Sequence, residues 1–208
     1  MRLSEKTIEL NFCSQFSRYA KTPVIWFGLT QLQEARAGFD ACTKLRGRLL
    51  LLQFKASNHI LKRSGARRFK LPHGQLQSLQ ARVNGYRRSV FYVFPDLGNT
   101  HEFAHNSDIV RQSWLLDVSG LPSLPLPTKQ NGNPRKNRIH YADLRAPIMH
   151  IHSELVEAKL TRASEVIDGL QGADGVQGAF EDFDAFWQFC GLFRRNAIGA
   201  VIPQAAPS

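Results

Sequence analysis

The sequence predicts an α/β protein in which a central mixed β-sheet is flanked by helices, with a helical C-terminal extension. Three observations predict it. Residues 48–57, Arg-Leu-Leu-Leu-Leu-Gln-Phe-Lys-Ala-Ser, read as a strand that is apolar on both faces at its start, as a central strand covered on both sides must be. Residues 89–94, Ser-Val-Phe-Tyr-Val-Phe, repeat that character. Apolar residues at helical spacing mark residues 4–19 and 75–83 as helices before and between them.

A chain of 208 residues is long enough to bury a sizeable core. Its 43% hydrophobic and 21% charged content are those of an ordinary globular protein. The charge balance is not ordinary. With 27 Lys+Arg against 17 Asp+Glu the net charge is +10, which favours polyanions, nucleic acid first and anionic membranes second. Cys13, Cys42 and Cys190 are odd in number and widely spaced, so neither a disulfide framework nor a zinc knuckle is expected, and a reducing cytoplasm is. Met1-Arg-Leu-Ser-Glu-Lys6 is not followed by an apolar segment, so no signal peptide is expected. The longest apolar run, Leu49 to Leu52, is too short to cross a bilayer, and no membrane partner is expected.

Along the chain, Ser4 is a good N-cap for the first helix, whose buried stripe is Ile8, Phe12, Phe16 and Tyr19. Val24 to Leu29 reads as a short strand, and residues 30–37 as either a helical turn or an extended loop. Gly38 to Ala41 opens a strand that adjoins the apolar one, with a turn at residues 44–47. Residues 62–70 form a basic, loop-like segment carrying Lys62, Arg63, Arg67, Arg68 and Lys70. Pro72-His73-Gly74 breaks the chain before the helix of Leu76, Leu79 and Val83; His73 reads as an exposed loop histidine. A loop with a short helix over 98–112 and a strand at Trp114–Val118 follow. The proline-rich stretch from 120 to 134 is irregular, and Arg135, Lys136 and Arg138 add a second basic cluster. Residues 138–144 and 147–152 read as strands, the second placing His150 and His152 on one face at metal-ligand spacing with no third ligand in view.

The domain division expected is an α/β domain over 1–152, a helical extension over 153–196 and a flexible tail over 197–208. The extension comprises a helix from Ser153 to Leu170, with Leu155, Leu160, Ala163 and Ile167 on its apolar side, and an aromatic helix over 181–195. The latter could dock on the domain, on a second copy or on a partner protein.

The chemistry concentrates on one spot. Alternation puts Leu49, Leu51, Gln53 and Lys55 on one face of the central strand and Leu50, Leu52, Phe54 and Ala56 on the other. A buried amide and ammonium cost free energy unless paired or working. The hairpin brings Asp40 beside them. An aspartate, an amide oxygen and a lysine together suit a divalent cation and a phosphate.

Asp40 followed by Gln53-x-Lys55 resembles the signature of the PD-(D/E)xK nuclease superfamily, in the glutamine variant of Mrr-like nucleases. The resemblance covers roughly residues 5 to 95 and implies a restriction-endonuclease-like fold and Mg²⁺- or Mn²⁺-dependent phosphodiester hydrolysis, of DNA ahead of RNA, in defence against foreign DNA or in DNA processing. It implies Asp40 and Gln53 as metal ligands, the Phe54 carbonyl as a further ligand, and Lys55 beside the attacking water. Glu9 on the first helix, or Glu34 upstream of Asp40, would supply the missing carboxylate. Gln75, on the helix after the lysine strand, would face the site. The basic residues of both clusters would hold phosphates. Glutamine in place of the middle acid removes one negative charge and should weaken metal binding. Two other classes stay open: an inactive nuclease-like module that binds DNA or assembles with a partner, and an interaction protein whose charge is incidental.

Overall fold

The computed structural model describes residues 1–45, 48–57, 59–83, 90–128, 133, 138–152, 156–170, 193–195 and 201–203. Helix α1, Glu5–Ala20, starts where Ser4 accepts the Thr7 N–H and ends at Lys21 in the left-handed region. Its Ile8, Phe12 and Phe16 are buried, as their spacing predicts; Glu9 is buried with them. Strand β1, Trp26–Gly28, leads into helix α2, Gln31–Ala37, closed by a reciprocal cap between Thr30 and Gln33. The helical alternative for residues 30–37 is therefore the observed one. Gly38 ends α2 at φ 83, and β2, Ala41–Leu45, and β3, Arg48–Phe54, follow as an antiparallel pair.

The expected two-sided burial of β3 is present. Leu49 and Leu51 join the apolar cluster that holds Leu76 and Leu79, while Leu50, Leu52 and Phe54 join that of Ile8, Phe12 and Phe16. Strands β4, His59–Ile60, and β5, Arg67–Pro72, and helix α3, His73–Val83, intervene before β6, Val90–Pro95. Helix α4, Thr100–His105, precedes β7, Ser113–Asp117. Strand β6 pairs parallel to β3, so the crossover through α3 makes the six-stranded sheet mixed; its order is β1-β2-β3-β6-β7-β11, with β11 at Thr161–Arg162.

A second, antiparallel sheet was not expected. Its order is β10-β9-β8-β5-β4, with β8 at Ile139–Arg145, β9 at Ile148–Ile151 and β10 at Val156–Lys159. The basic segment expected to be a loop lies partly in β5, where Phe69 and Leu71 alternate inward into the core. Of the helix expected over 153–170, the described residues 156–162 are extended instead. Val156 to Leu160 alternates between half-buried or buried and exposed, the period of a strand, so β10 extends one sheet and β11, Thr161–Arg162, the other. Only Ala163–Leu170 is helical, as α5, and its Ala163 and Ile167 pack into the cluster of α1. Residues 156–170 thus pair with both sheets and pack on the cluster of α1. The expected aromatic helix over 181–195 lies mostly outside the described residues; its last three, Phe193–Arg195, form strand β12, paired with β13, Val201–Pro203, inside the stretch expected to be a tail.

Candidate active site

The hairpin places Asp40 level with Gln53, because Ala41 is paired with Leu52 one step further along. The backbone holds Asp40 at both ends: its N–H donates to Leu52 O at 2.9 Å, and its carbonyl accepts from Leu29 at 3.2 Å. Lys55 continues the strand, donating its N–H to Val93 O at 3.0 Å. Asp40, Gln53 and Lys55 are 8%, 1% and 5% exposed, so three polar groups are gathered inside an apolar sheet. Asp40 Oδ2 accepts from the Phe54 N–H and from Gln53 Nε2, each at 2.7 Å. The same Nε2 also donates to the Phe54 carbonyl at 3.1 Å.

Burial is the largest influence on Asp40 and pushes its carboxyl up to about 7; the Phe54 N–H, the Lys55 charge and the Gln53 amide act against it, and Glu5 adds to it. Glu5 stands in the first turn of α1. Its Oε1 lies 3.6 Å from Lys55 Nζ and accepts from the Ala56 N–H at 3.3 Å. The resemblance points instead to Glu9, one turn on, or to Glu34. Glu9 is buried near Gly28 and both its oxygens are taken by Lys6, at 2.8 and 2.9 Å. Glu34 is half-buried on α2; burial raises its carboxyl, Lys6 lowers it, and Glu9 and Glu5 raise it further. Gln75 is half-buried in the first turn of α3, with its Oε1 buried and unpartnered. Thus Asp40, Gln53 and Lys55 converge as expected, and Glu5 is the acid that sequence reasoning passed over. Its only signal was the first-turn position, four residues before Glu9.

The donor set suits a hard cation in kind. Gln53 Oε1 is buried without a hydrogen bond, an acceptor that invites a partner. A half-turn of the carboxamide would exchange this oxygen with the nitrogen now shared by Asp40 and Phe54. Oxygen ligands plus waters are what Mg²⁺ takes. Among the described residues, however, no three His, Cys, Asp or Glu side chains are grouped closely enough to hold a metal ion; Asp40 is the carboxylate bonded to Gln53, and Glu5 stands against Lys55. Tyr92 sits beside Gln53 in the β3–β6 register; its buried, unpartnered hydroxyl is kept protonated by burial and by the Asp40 and Glu5 charges.

The basic residues divide. Lys62, Arg63 and Lys70 are exposed. Arg67 is instead held by Asp96 at 3.0 Å and Glu102 at 2.7 Å, and Arg68 by both oxygens of Asp143. These two arginines join elements of the fold. Arg138 sits at φ 44 before β8, and Arg135 and Lys136 lie outside the described residues. His150 and His152 do not converge on a metal: His150 Nδ1 meets Glu157 at 3.1 Å, and His152 Nε2 meets Asp143. His73 is no exposed loop residue. It opens α3, buried, with Nδ1 3.0 Å from His140 Nε2.

Comparison with protein-family models, with curated proteins and with solved structures found no match to this chain.

Proposed function

We propose that this protein is a metal-dependent nuclease of restriction-endonuclease-like fold that hydrolyses phosphodiester bonds of DNA at Asp40, Gln53 and Lys55, in defence or DNA processing in the cytoplasm. The observation that carries the reading is the burial of these three polar groups at the end of an apolar central strand, with Gln53 Oε1 left unpartnered. A sheet interior does not keep such groups for stability, since apolar residues of similar size would cost less.

Asp40 and Gln53 would hold Mg²⁺ or Mn²⁺, with the Phe54 carbonyl beside them. When bound, the ion supplies Lewis acidity toward the scissile phosphate and the attacking water. Lys55 puts a positive charge where negative charge develops on the phosphate. Glu5 is a positioning residue: it sets the Lys55 ammonium through the 3.6 Å contact. Asp40 must be ionised to bind a cation, and a carboxyl raised to about 7 ties that ionisation to metal binding near neutral pH.

One observation favours a second reading. The Gln53 amide nitrogen already satisfies Asp40 Oδ2 and the Phe54 carbonyl without any ion, which is how an inactive nuclease-like module would close its site. Cleavage of supercoiled plasmid and single-stranded DNA with Mg²⁺, Mn²⁺ or EDTA separates the two. Metal-dependent cutting lost in Asp40→Ala and Lys55→Ala establishes the enzyme. Well-folded wild type that never cuts, yet binds DNA in a salt-sensitive way, establishes the module.

A further inference from the structure

The outer face of the five-stranded sheet carries a second surface. Alternation sends Phe69, Leu71, Ala142, Met149, Ile151 and Ala158 into the core, and the residues between them outward. Register aligns the outward residues into rows. One row, His59–Arg68–Asp143–His150–Glu157, crosses all five strands. Lys70 lies level with Tyr141 on one side of it, and Arg145, Ile148 and Lys159 line up on the other.

Of the two carboxylates of this face, Asp143 is consumed within it, while Glu157 stands exposed at its edge. Asp143, 1% exposed, takes two hydrogen bonds from Arg68, at 2.6 and 2.8 Å, and the contact from His152. Glu157 meets His150. The Arg68 guanidinium, held by Asp143, lies 5.7 Å from the centre of the Tyr141 ring and fixes that ring from one side. Lys70, Arg145 and Lys159 are exposed and form no ion pair among the described residues. What the face shows to solvent is therefore the His59 and His152 rings and the half-buried Tyr141 ring, with three exposed cations, Lys70, Arg145 and Lys159, against one exposed carboxylate, Glu157.

We propose that this face binds single-stranded DNA, its phosphates on Lys70, Arg145 and Lys159 and its bases on the Tyr141 and His152 rings. Positive charge complements any nucleic acid, but rings lying open on a sheet reward only unpaired bases, whose π-faces are free. The row also leads to the candidate active site. Ser57, two residues past Lys55, places its hydroxyl 3.4 Å from the carbonyls of His59 and Arg68, the start of the row. As a statement about substrate the proposal rests on the nuclease reading; as a binding surface it stands apart from it.

The test is fluorescence anisotropy of a labelled mixed-sequence single strand, its duplex and the matching RNA, against the full chain carrying Asp40→Ala, in EDTA so that nothing is cut. Single-stranded DNA should bind more tightly than the other two. Lys70→Glu and Lys159→Glu should each weaken binding and lower the salt dependence by about one ion. Tyr141→Ala should weaken it about tenfold, and Tyr141→Trp should retain it. Arg2→Glu, an equal charge change at an exposed site off this sheet, should do far less. Unchanged binding in the Lys70, Lys159 and Tyr141 variants, an equal loss with Arg2→Glu, or tighter binding of the duplex or the RNA overturns the proposal. Cleavage by the wild-type chain is scored separately, so failure of this face and failure of the active site are read in different experiments.

Discussion

Gln53 donates its side-chain amide to Asp40, 2.7 Å from Nε2 to Oδ2, while its own carbonyl oxygen stays buried and unpartnered. The pair is half satisfied. The carboxylate has its donors, and the amide oxygen waits for one.

Gln53→Glu tests this pairing. A second carboxylate against Asp40 repels it and loses the amide donor, so without metal the variant should melt several degrees below wild type in EDTA. Added Mn²⁺ should raise its melting midpoint more than that of wild type, because the added charge strengthens cation binding. A midpoint that falls and does not respond to Mn²⁺ would sink the metal assignment of this pair.

Stability should carry the mark of Asp40 in its pH dependence. Its carboxyl titrates near 7 in the folded chain against an ordinary 3.8, so the native state binds more protons than the unfolded one between these values. Stability from this group is therefore lost as pH rises from about 4 to 7, by roughly 1.4 kcal/mol for each pH unit of displacement at most. His140 works the other way. Burial, then the His73 charge, lowers it to about 4 from 6.5, so its contribution is lost as pH falls through that range. Urea midpoints of wild type and Asp40→Asn across pH 4–7 isolate the first effect: the difference between them should shift steadily with pH, and a flat difference refutes the raised carboxyl.

Gly38 is the hinge that aims Asp40. It sits at φ 83, and a Cβ there would meet the Ser78 Cβ at 2.8 Å. Gly38→Ala should cost about 2 kcal/mol or more and reduce cleavage, since Asp40 is two residues on. Gly65, at φ 66 with nothing within 4 Å of an added Cβ, is the control; Gly65→Ala should cost only the backbone strain, about 1 kcal/mol. Equal losses by chemical denaturation would show that the Ser78 contact is slack.

Glu5 and Glu9 should separate in activity. Glu5→Gln weakens the hold on Lys55 and should lower kcat about tenfold or more, with a shifted pH–rate profile. Glu9→Gln, whose acid is tied to Lys6, should act mainly on stability. The reverse order in single-turnover cleavage assays would restore Glu9 as the helix acid of the site.

Much of this site was legible in the sequence because it is local. Asp40, Gln53 and Lys55 lie within one hairpin, and the two-residue period of β3 sends Gln53 and Lys55 to the same face without help from the rest of the chain. The choice between Glu5 and Glu9 was not legible. They lie one turn apart on the same helix face, and only the position of α1 on the sheet decides which reaches Lys55.

The sequence by itself determined the apolar central strand, the helix stripes of Ile8, Phe12 and Phe16, and the meeting of Asp40 with Gln53, since each follows from periodicity over a few residues. Only tertiary structure decided the second sheet, the partners of Arg67 and Arg68, and the strand at Val156–Lys159. Arg68 finds Asp143 across a pairing separated by 75 residues, and no local pattern encodes which distant strand will present the complementary charge. Val156 to Leu160 is short enough to suit either period, and the free edge of β9 settled it by offering backbone hydrogen bonds that a helix there would have left unmade.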